Sequence, residues 1–146
     1  MLWKAKKIAA TGKVIGVDMT EEMVNKAKSL AKKYGCTNVE FRLDDIEDSP
    51  VENESVYVLI SNYVINLSPI KSPVFSETYR VLRNSGRFYI SGIVLLKELS
   101  DKHENDISLL CRCVAGALLR DDYLREIEKA GFEVEILAED IEISER

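Results

Sequence analysis

The sequence predicts an α/β protein with a doubly wound, mainly parallel sheet. Short β-branched segments alternate along the chain with longer stretches whose apolar residues recur at helical spacing. Strands that are separated by helices of about 10–15 residues need crossover connections, so neighbouring strands run parallel. In such sheets ligands bind beyond the carboxyl ends of the strands. We therefore expect the functional residues in loops 18–20, 44–48, 62–68 and 92–106.

Five segments are predicted to be strands: residues 13–18, 38–43, 56–61, 87–96 and 132–136. The first and third are short, continuous and rich in β-branched residues, which is typical of a strand that is buried on both faces. The second and last alternate apolar with charged residues, as a strand with one buried face does.

Five helices are predicted between and around these strands. They cover residues 1–10, 20–34, 69–82, 107–119 and 121–130. Thr20 is a candidate N-cap, and Gly35 and Gly131 stand where left-handed caps end helices. In the second helix, Met23, Ala27, Leu30, Ala31 and Tyr34 are expected to form the buried face. A turn is expected at Asn84-Ser85-Gly86.

Composition limits the classes of function. The 146 residues are 46% hydrophobic and 31% charged, which predicts one globular domain over residues 1–146. No apolar run is long enough for a membrane span or a secretion signal. The net charge of −5 disfavours nucleic-acid binding, which needs a basic surface. Three cysteines cannot pair completely, and this favours a cytoplasmic location.

Acidic residues follow the first two predicted strands. Asp18 can accept hydrogen bonds from both hydroxyls of an adenosine ribose, or it can simply stand at the entry to the helix that follows. In Asp44-Asp45-Ile46, a carboxylate can bind an adenine amino group with Ile46 against the ring. The alternative for this segment is a solvated acidic turn. A glycine-rich turn, the usual companion of such a site, is missing, because residues 1–11 contain no glycine.

Polar and thiol groups mark two further loops. Asn62 and Asn66 follow the third strand and place amide groups at the expected cleft, although a capped loop explains them as well. Cys111 and Cys113 lie two positions apart on a predicted helix, so they do not share a face and suit zinc poorly. A single thiolate remains compatible with a soft metal or metalloid. One histidine, His103, offers no nucleophile–base arrangement.

Five stretches together resemble class I S-adenosylmethionine-dependent methyltransferases, and among these the arsenite methyltransferases. The stretches are Gly12–Thr20 (GKVIGVDMT), Asn38–Glu47 (NVEFRLDDIE), Ile60–Pro69 (ISNYVINLSP), Tyr79–Leu96 (YRVLRNSGRFYISGIVLL) and Cys113–Ala117 (CVAGA). The resemblance implies a Rossmann-like sheet with S-adenosylmethionine at the carboxyl ends of its strands. By this match, Asp18 binds the ribose, Met19 packs on adenine, Asp45 binds the adenine amino group with Ile46 beside it, Asn62 lies near the methyl donor, and Cys113 is an arsenic-binding thiolate.

The sequence also departs from this family. It begins after the family's first strand and glycine-rich loop, so we expect an incomplete sheet that is truncated at the N-terminus. Tyr63 stands where the subgroup has a second arsenic-binding cysteine, and Tyr57 stands where the family usually has aspartate. The family's order places the first strand between residues 13–18 and 56–61. Its absence would expose two strand edges, which predicts a homodimer through a sheet edge or through the 1–10 helix.

Three functions follow from these observations. The first is methyl transfer from S-adenosylmethionine to a small soft nucleophile such as arsenite, with Asn62 and Cys113 nearest the acceptor. The second is a non-catalytic remnant of the methyltransferase fold that dimerises or binds another molecule. The third is a dinucleotide oxidoreductase, which shares the argument from Asp18 but lacks the glycine-rich loop and the resemblance.

Overall fold

The structure is a computed structural model that describes residues 12–98, 114 and 116–140. The chain divides into two compact units, Met1–Val51 and Glu52–Arg146. Each unit is built from parallel strands and helices, so the predicted α/β class is confirmed in both. Among the described residues, no helix has both the length and the apolar composition that crossing a bilayer requires.

The first unit contains strand β1 (Val14–Asp18), helix α1 (Glu21–Lys33) and strand β2 (Val39–Leu43). β1 and β2 pair in parallel, from Val14 opposite Val39 to Asp18 opposite Leu43. Both strands therefore end at the same edge of the sheet. This is the edge at which the sequence predicts a ligand site.

The ends of α1 follow the predicted signals. Glu21 and Glu22 occupy its first turn and Lys32 and Lys33 its last, where each charge opposes the helix dipole. Gly35 has a φ of 63°, the left-handed conformation that glycine adopts most readily.

The predicted buried face of α1 was partly wrong. Val24 and Ala31 are buried, whereas Met23 and Tyr34 are exposed, so the core-facing stripe is rotated by about one residue.

The second unit begins with strand β3 (Val56–Asn62), a short 3₁₀ helix (Ile65–Leu67), helix α2 (Lys71–Val81) and strand β4 (Leu82–Ser91). β3 and β4 are parallel, and their last paired residues are Asn62 and Ser91. Between Val56 and Val58 the register shifts, because β4 there contains the predicted turn and Ser85 adopts a φ of 67°. The turn is therefore a bulge within the strand.

Aromatic rings connect the elements of the second unit. Phe75 of α2 is fully buried and makes edge contacts with Phe88 of β4 and with Tyr123 of helix α3 (Arg120–Lys129). The ring centroids lie 6.5 Å and 5.5 Å away, distances typical of favourable aromatic pairs. Phe132, which follows α3, packs on Phe88 and Tyr79. These contacts hold α2, β4 and α3 together.

Two strand predictions need correction. Residues 132–136 form no strand, although Phe132 packs inward, because an alternating pattern does not provide the hydrogen-bonded neighbour that a strand requires. β4 begins at Leu82 and ends at Ser91, so the predicted strand over 87–96 was placed too far along the chain. Leu95 makes only an isolated bridge with Leu119. The predicted helix over 1–10 and most of the one over 107–119 lie outside the described residues.

Candidate functional site

The carboxyl ends of β1 and β2 meet in the first unit. The backbone N–H of Asp44 donates to the carbonyl of Asp18 over 3.2 Å and extends the ladder by one bond. Asp18 therefore ends one strand while Asp44 and Asp45 leave the next. The structure places Asp18, Met19, Asp45 and Ile46 at one edge of this sheet.

Asp18 shapes the entry into α1. Its Oδ1 accepts the backbone N–H of Thr20 over 2.8 Å, and Thr20 itself makes no side-chain capping bond. Thr20 is therefore the N-cap residue by position and backbone conformation, and Asp18 forms a turn just before the helix rather than a side-chain cap. Met19 lies between them with 65% of its surface exposed, so its side chain is available for contact at this edge.

Asp45 has the same local geometry. Its Oδ1 accepts the backbone N–H of Glu47 over 3.3 Å, and its own N–H donates to Oδ1 of Asp44 over 3.0 Å. Ile46 is half-buried beside it. The acidic-turn interpretation is therefore correct as a description of the local structure, and it leaves room for the binding interpretation.

The two carboxylates retain unused acceptor capacity. Asp18 and Asp45 each use Oδ1 for one turn bond, and within the described part of the chain Oδ2 of neither residue accepts a hydrogen bond. A carboxylate has about four acceptor positions, so both can still accept bonds from hydroxyl or amino groups. No group of three potential metal ligands occurs among the described residues. This edge therefore suits a ligand that carries hydrogen-bond donors.

The second unit positions Asn62 at the corresponding ends of β3 and β4. Ser91 Oγ donates to Asn62 Oδ1, and the Ser91 carbonyl accepts the backbone N–H of Tyr63 over 2.8 Å. The backbone of Tyr63 has a φ of 58°, a left-handed conformation that bulky residues rarely adopt. Asn62 is exposed at this edge. It lies in the second unit, whereas the predicted adenosine-binding residues lie in the first.

Buried polar contacts fix the loop that follows. Asn66 is only 2% exposed, and its Nδ2 donates to the carbonyl of Ile93 over 2.7 Å. Lys71 is 5% exposed, and its Nζ donates to the carbonyls of Asn66, over 3.2 Å, and of Ser68. The interpretation of Asn66 as a ligand-facing amide was therefore wrong, because its side chain connects the loop to the segment after β4.

Sequence reasoning missed Ser91 and Lys71. A signal existed for Lys71, because a cation in the first turn of a helix is repelled by the positive end of the helix dipole and needs a local acceptor. For Ser91 the signal was weaker, since its position opposite Asn62 depends on the strand register. Cys113 lies outside the described residues, so its predicted role as an arsenic-binding thiolate stays a prediction.

Two side chains in the structure have strongly shifted pKa values. In the first unit, the hydrogen bond from Arg42 Nε, at 2.6 Å, and the contact with Lys13 lower the pKa of Glu40 to about 2. In the second unit, burial against Phe75 raises the pKa of Tyr123 to about 12. Both groups lie in structural contacts rather than at the strand ends, so they bear on stability.

The sequence matches known proteins over most of its length. A family profile described as a methyltransferase domain matches residues 3–131. The arsenite methyltransferase of Halobacterium salinarum is 48% identical over 137 residues, which cover 93% of this chain and 35% of that protein. The human arsenite methyltransferase is 33% identical, over 86% of this chain and 36% of that protein. The chain thus spans about a third of the length of these relatives.

Solved structures agree with this result. An arsenic(III) S-adenosylmethionine methyltransferase from Chlamydomonas reinhardtii superposes with a TM-score of 0.78 at 36% identity, over 88% of this chain and 46% of that one. An S-adenosylmethionine-dependent methyltransferase from Aquifex aeolicus has the same fold, with a TM-score of 0.72 at 22% identity, over 92% of this chain and 66% of that one. The Rossmann-like class and the resemblance to arsenite methyltransferases are both confirmed.

Proposed function

We propose that this chain, which belongs to the methyltransferase-domain family, binds S-adenosylmethionine and takes part in methyl transfer to arsenite. The observation that carries the proposal is the acceptor edge of the first unit. There Asp18 and Asp45 use one carboxylate oxygen each in local turns and keep the other for a ligand. A single domain over residues 1–146 is part of the proposal, and the family match across both units supports it.

The donor groups of an adenosine fit this edge. The ribose presents two hydroxyls and the adenine an amino group, and all of them can donate to carboxylates. We assign the ribose to Asp18 and the amino group to Asp45. The exposed Met19 and the half-buried Ile46 offer apolar surface for the adenine ring. Hydrogen bonds to a charged acceptor contribute about 1.5–3 kcal/mol each. Because both ribose hydroxyls are assigned to Asp18, its loss should weaken binding most.

S-adenosylmethionine supplies a methyl group on a positively charged sulfur, which is already a good leaving group. The protein therefore needs to position the acceptor and exclude water. In the transfer, the arsenic lone pair forms the new bond to the methyl carbon, and the electron pair of the broken carbon–sulfur bond stays on sulfur. We propose that Asn62 lies near the methyl donor and that the Cys113 thiolate binds arsenic.

Transfer of a radiolabelled methyl group to arsenite tests this proposal. Asp18→Asn keeps an oxygen for the Thr20 N–H but removes the negative charge, so the turn survives while ribose binding weakens. We expect KM for S-adenosylmethionine to rise about tenfold, which corresponds to about 1.4 kcal/mol. Asp48→Asn, an exposed acidic residue in the same unit, is the matched control and should leave KM unchanged.

A separate variant tests the assignment of Cys113 as the residue that binds arsenic. Cys113→Ser should raise KM for arsenite and leave KM for S-adenosylmethionine unchanged, because oxygen binds arsenic more weakly than sulfur does. Labelled product that forms at equal rates in wild type, Asp18→Asn and Cys113→Ser would contradict both residue assignments. Absence of labelled product from the wild-type chain would contradict the activity itself.

A second function is favoured by the surface of β3. Among the described residues β3 pairs only with β4, and its Tyr57 is 68% exposed while Val58 and Ile60 are about half exposed. An uncharged strand with a free edge tends to pair with another strand. We therefore also propose that two copies associate through β3 as a homodimer. In the non-catalytic alternative, this association would be the chain's function.

Sedimentation velocity at micromolar concentration measures this association. A dimer that dissociates in Val58→Lys would support pairing at β3, because an edge lysine disfavours strand addition. Lys28→Glu, on the exposed side of α1, is the control that should remain dimeric. A wild-type monomer at micromolar concentration would contradict the dimer.

We propose a cytoplasmic location on the separate ground that Cys36 is a free thiol, which suits a reducing compartment.

A further inference from the structure

Ser91 contacts two consecutive residues at the end of β3. Its side-chain hydroxyl donates to Asn62 Oδ1, and its carbonyl accepts the Tyr63 N–H over 2.8 Å. Asn62 and Ser91 are also the last paired residues of the two strands. A single residue of β4 therefore determines both the side chain of Asn62 and the backbone of Tyr63.

The hydrogen bond from the Ser91 hydroxyl determines which group of the Asn62 amide remains available to a ligand. A side-chain amide has a carbonyl that accepts and an NH₂ that donates two hydrogens. The Ser91 hydroxyl occupies the carbonyl, and within the described part of the chain the NH₂ donates to no other residue. Asn62 is exposed, so its N–H groups are the ones offered at this edge.

We propose that Ser91 is a positioning residue, which orients the Asn62 amide so that it presents N–H donors to an oxygen acceptor on the bound ligand. The ligand part of this inference rests on the proposed function, whereas the orientation part does not. Without the Ser91 hydroxyl, the amide can rotate and present either group. The chain would then lose selectivity for a ligand acceptor at this position.

The contacts of Ser91 can be separated experimentally. Its bond to Tyr63 uses the backbone carbonyl, which a change of the Ser91 side chain leaves in place. Ser91→Ala therefore removes the contact with Asn62 and retains the one that holds Tyr63 at its φ of 58°. Ser91→Thr keeps a hydroxyl and suits a strand, so it should restore the wild-type behaviour.

The first measurement needs no ligand. The side-chain ¹⁵N–¹H₂ signals of Asn62, assigned by their loss in Asn62→Ala, report the environment of the amide. We expect these signals to shift in Ser91→Ala and to return close to their wild-type positions in Ser91→Thr. Signals that stay unchanged in Ser91→Ala would overturn the orientation of Asn62 by Ser91.

The second measurement is a double-mutant cycle on the binding of S-adenosylhomocysteine. Loss of one neutral hydrogen bond corresponds to roughly a three- to tenfold weaker Kd, which we expect for Ser91→Ala. In the Asn62→Ala background, Ser91→Ala should have no further effect, because the two residues act through the same group. An equal loss in both backgrounds would show a general structural role and would overturn the proposal.

A third variant tests the donors themselves. Asn62→Asp keeps an acceptor for the Ser91 hydroxyl but replaces the NH₂ by an oxygen, so we expect weaker binding than in Ser91→Ala. Binding equal to wild type in Asn62→Asp would contradict the role of the donors. A wild-type chain that binds no S-adenosylhomocysteine contradicts the proposed function instead, and the amide signals alone then decide the role of Ser91.

Discussion

Gly131 ends α3 in a conformation and a space that only glycine fits. Its φ is 105°, and its N–H donates to the carbonyl of Glu128 over 2.9 Å. A Cβ added there would lie 2.9 Å from Cε2 of Tyr79. Gly131→Ala therefore adds backbone strain of about 1–3 kcal/mol and pushes away a ring that packs on Phe132 at 5.3 Å. The aromatic pair is worth about 0.5–1.5 kcal/mol, so we expect a total loss of about 2–4 kcal/mol.

Two other glycines separate these contributions. Gly35 has a positive φ but no atom within 4 Å of an added Cβ, so Gly35→Ala should cost only the strain, about 1–2 kcal/mol. Gly92 has neither feature, so Gly92→Ala should be neutral or stabilise by up to about 1 kcal/mol. Urea unfolding followed by circular dichroism measures all three variants. If Gly131→Ala costs no more than Gly35→Ala, the contact with Tyr79 is not a source of destabilisation.

Three further perturbations test titratable and charged side chains that make structural contacts. Contact with Arg42 lowers the pKa of Glu40, so the ionised Glu40 carboxylate should stabilise the fold fully above pH 4.5 and lose this contribution as the pH falls towards about 2. In acid titrations of stability, Glu40→Gln should remove this dependence on pH. The raised pKa of Tyr123 predicts a loss of stability at alkaline pH. The free energy of unfolding should fall as the pH rises from 10.0 towards about 12, and Tyr123→Phe should flatten this loss. Lys71→Met should cost about 2 kcal/mol in urea unfolding, because the buried carbonyl of Asn66 loses its donor, and an unchanged midpoint would contradict that contact.

The fold was largely predictable because its signals are local. Strands β1, β2 and β3 agree with the predicted segments to within about one residue, since continuous or alternating apolar residues mark them directly. Gly35 and Gly131 were correctly placed at helix ends, because a left-handed cap strongly favours glycine. Residues 132–136 have the same alternation but form no strand, because pairing depends on a neighbour that the pattern does not specify.

The candidate site was predictable in part. Asp18 and Asp45 stand at strand ends in the sequence, and the parallel register brings those ends together within the first unit. Asn66 looked equivalent to Asn62, but one is buried against Ile93 and the other is exposed at the strand end, and spacing alone does not distinguish them. The positive φ of Tyr63 had no sequence signal, since tyrosine has no preference for that region.

Isothermal titration of the whole chain with S-adenosylhomocysteine is the most direct test of cofactor binding at Asp18. We expect micromolar binding that weakens at least tenfold in Asp18→Ala and stays unchanged in Asp48→Ala. Loss of binding in Asp18→Ala with an intact fold would establish the acceptor edge of β1 and β2 as part of the cofactor site. No heat of binding at millimolar ligand would contradict binding of the cofactor by this chain, and equal affinity in Asp18→Ala and wild type would contradict the role of Asp18.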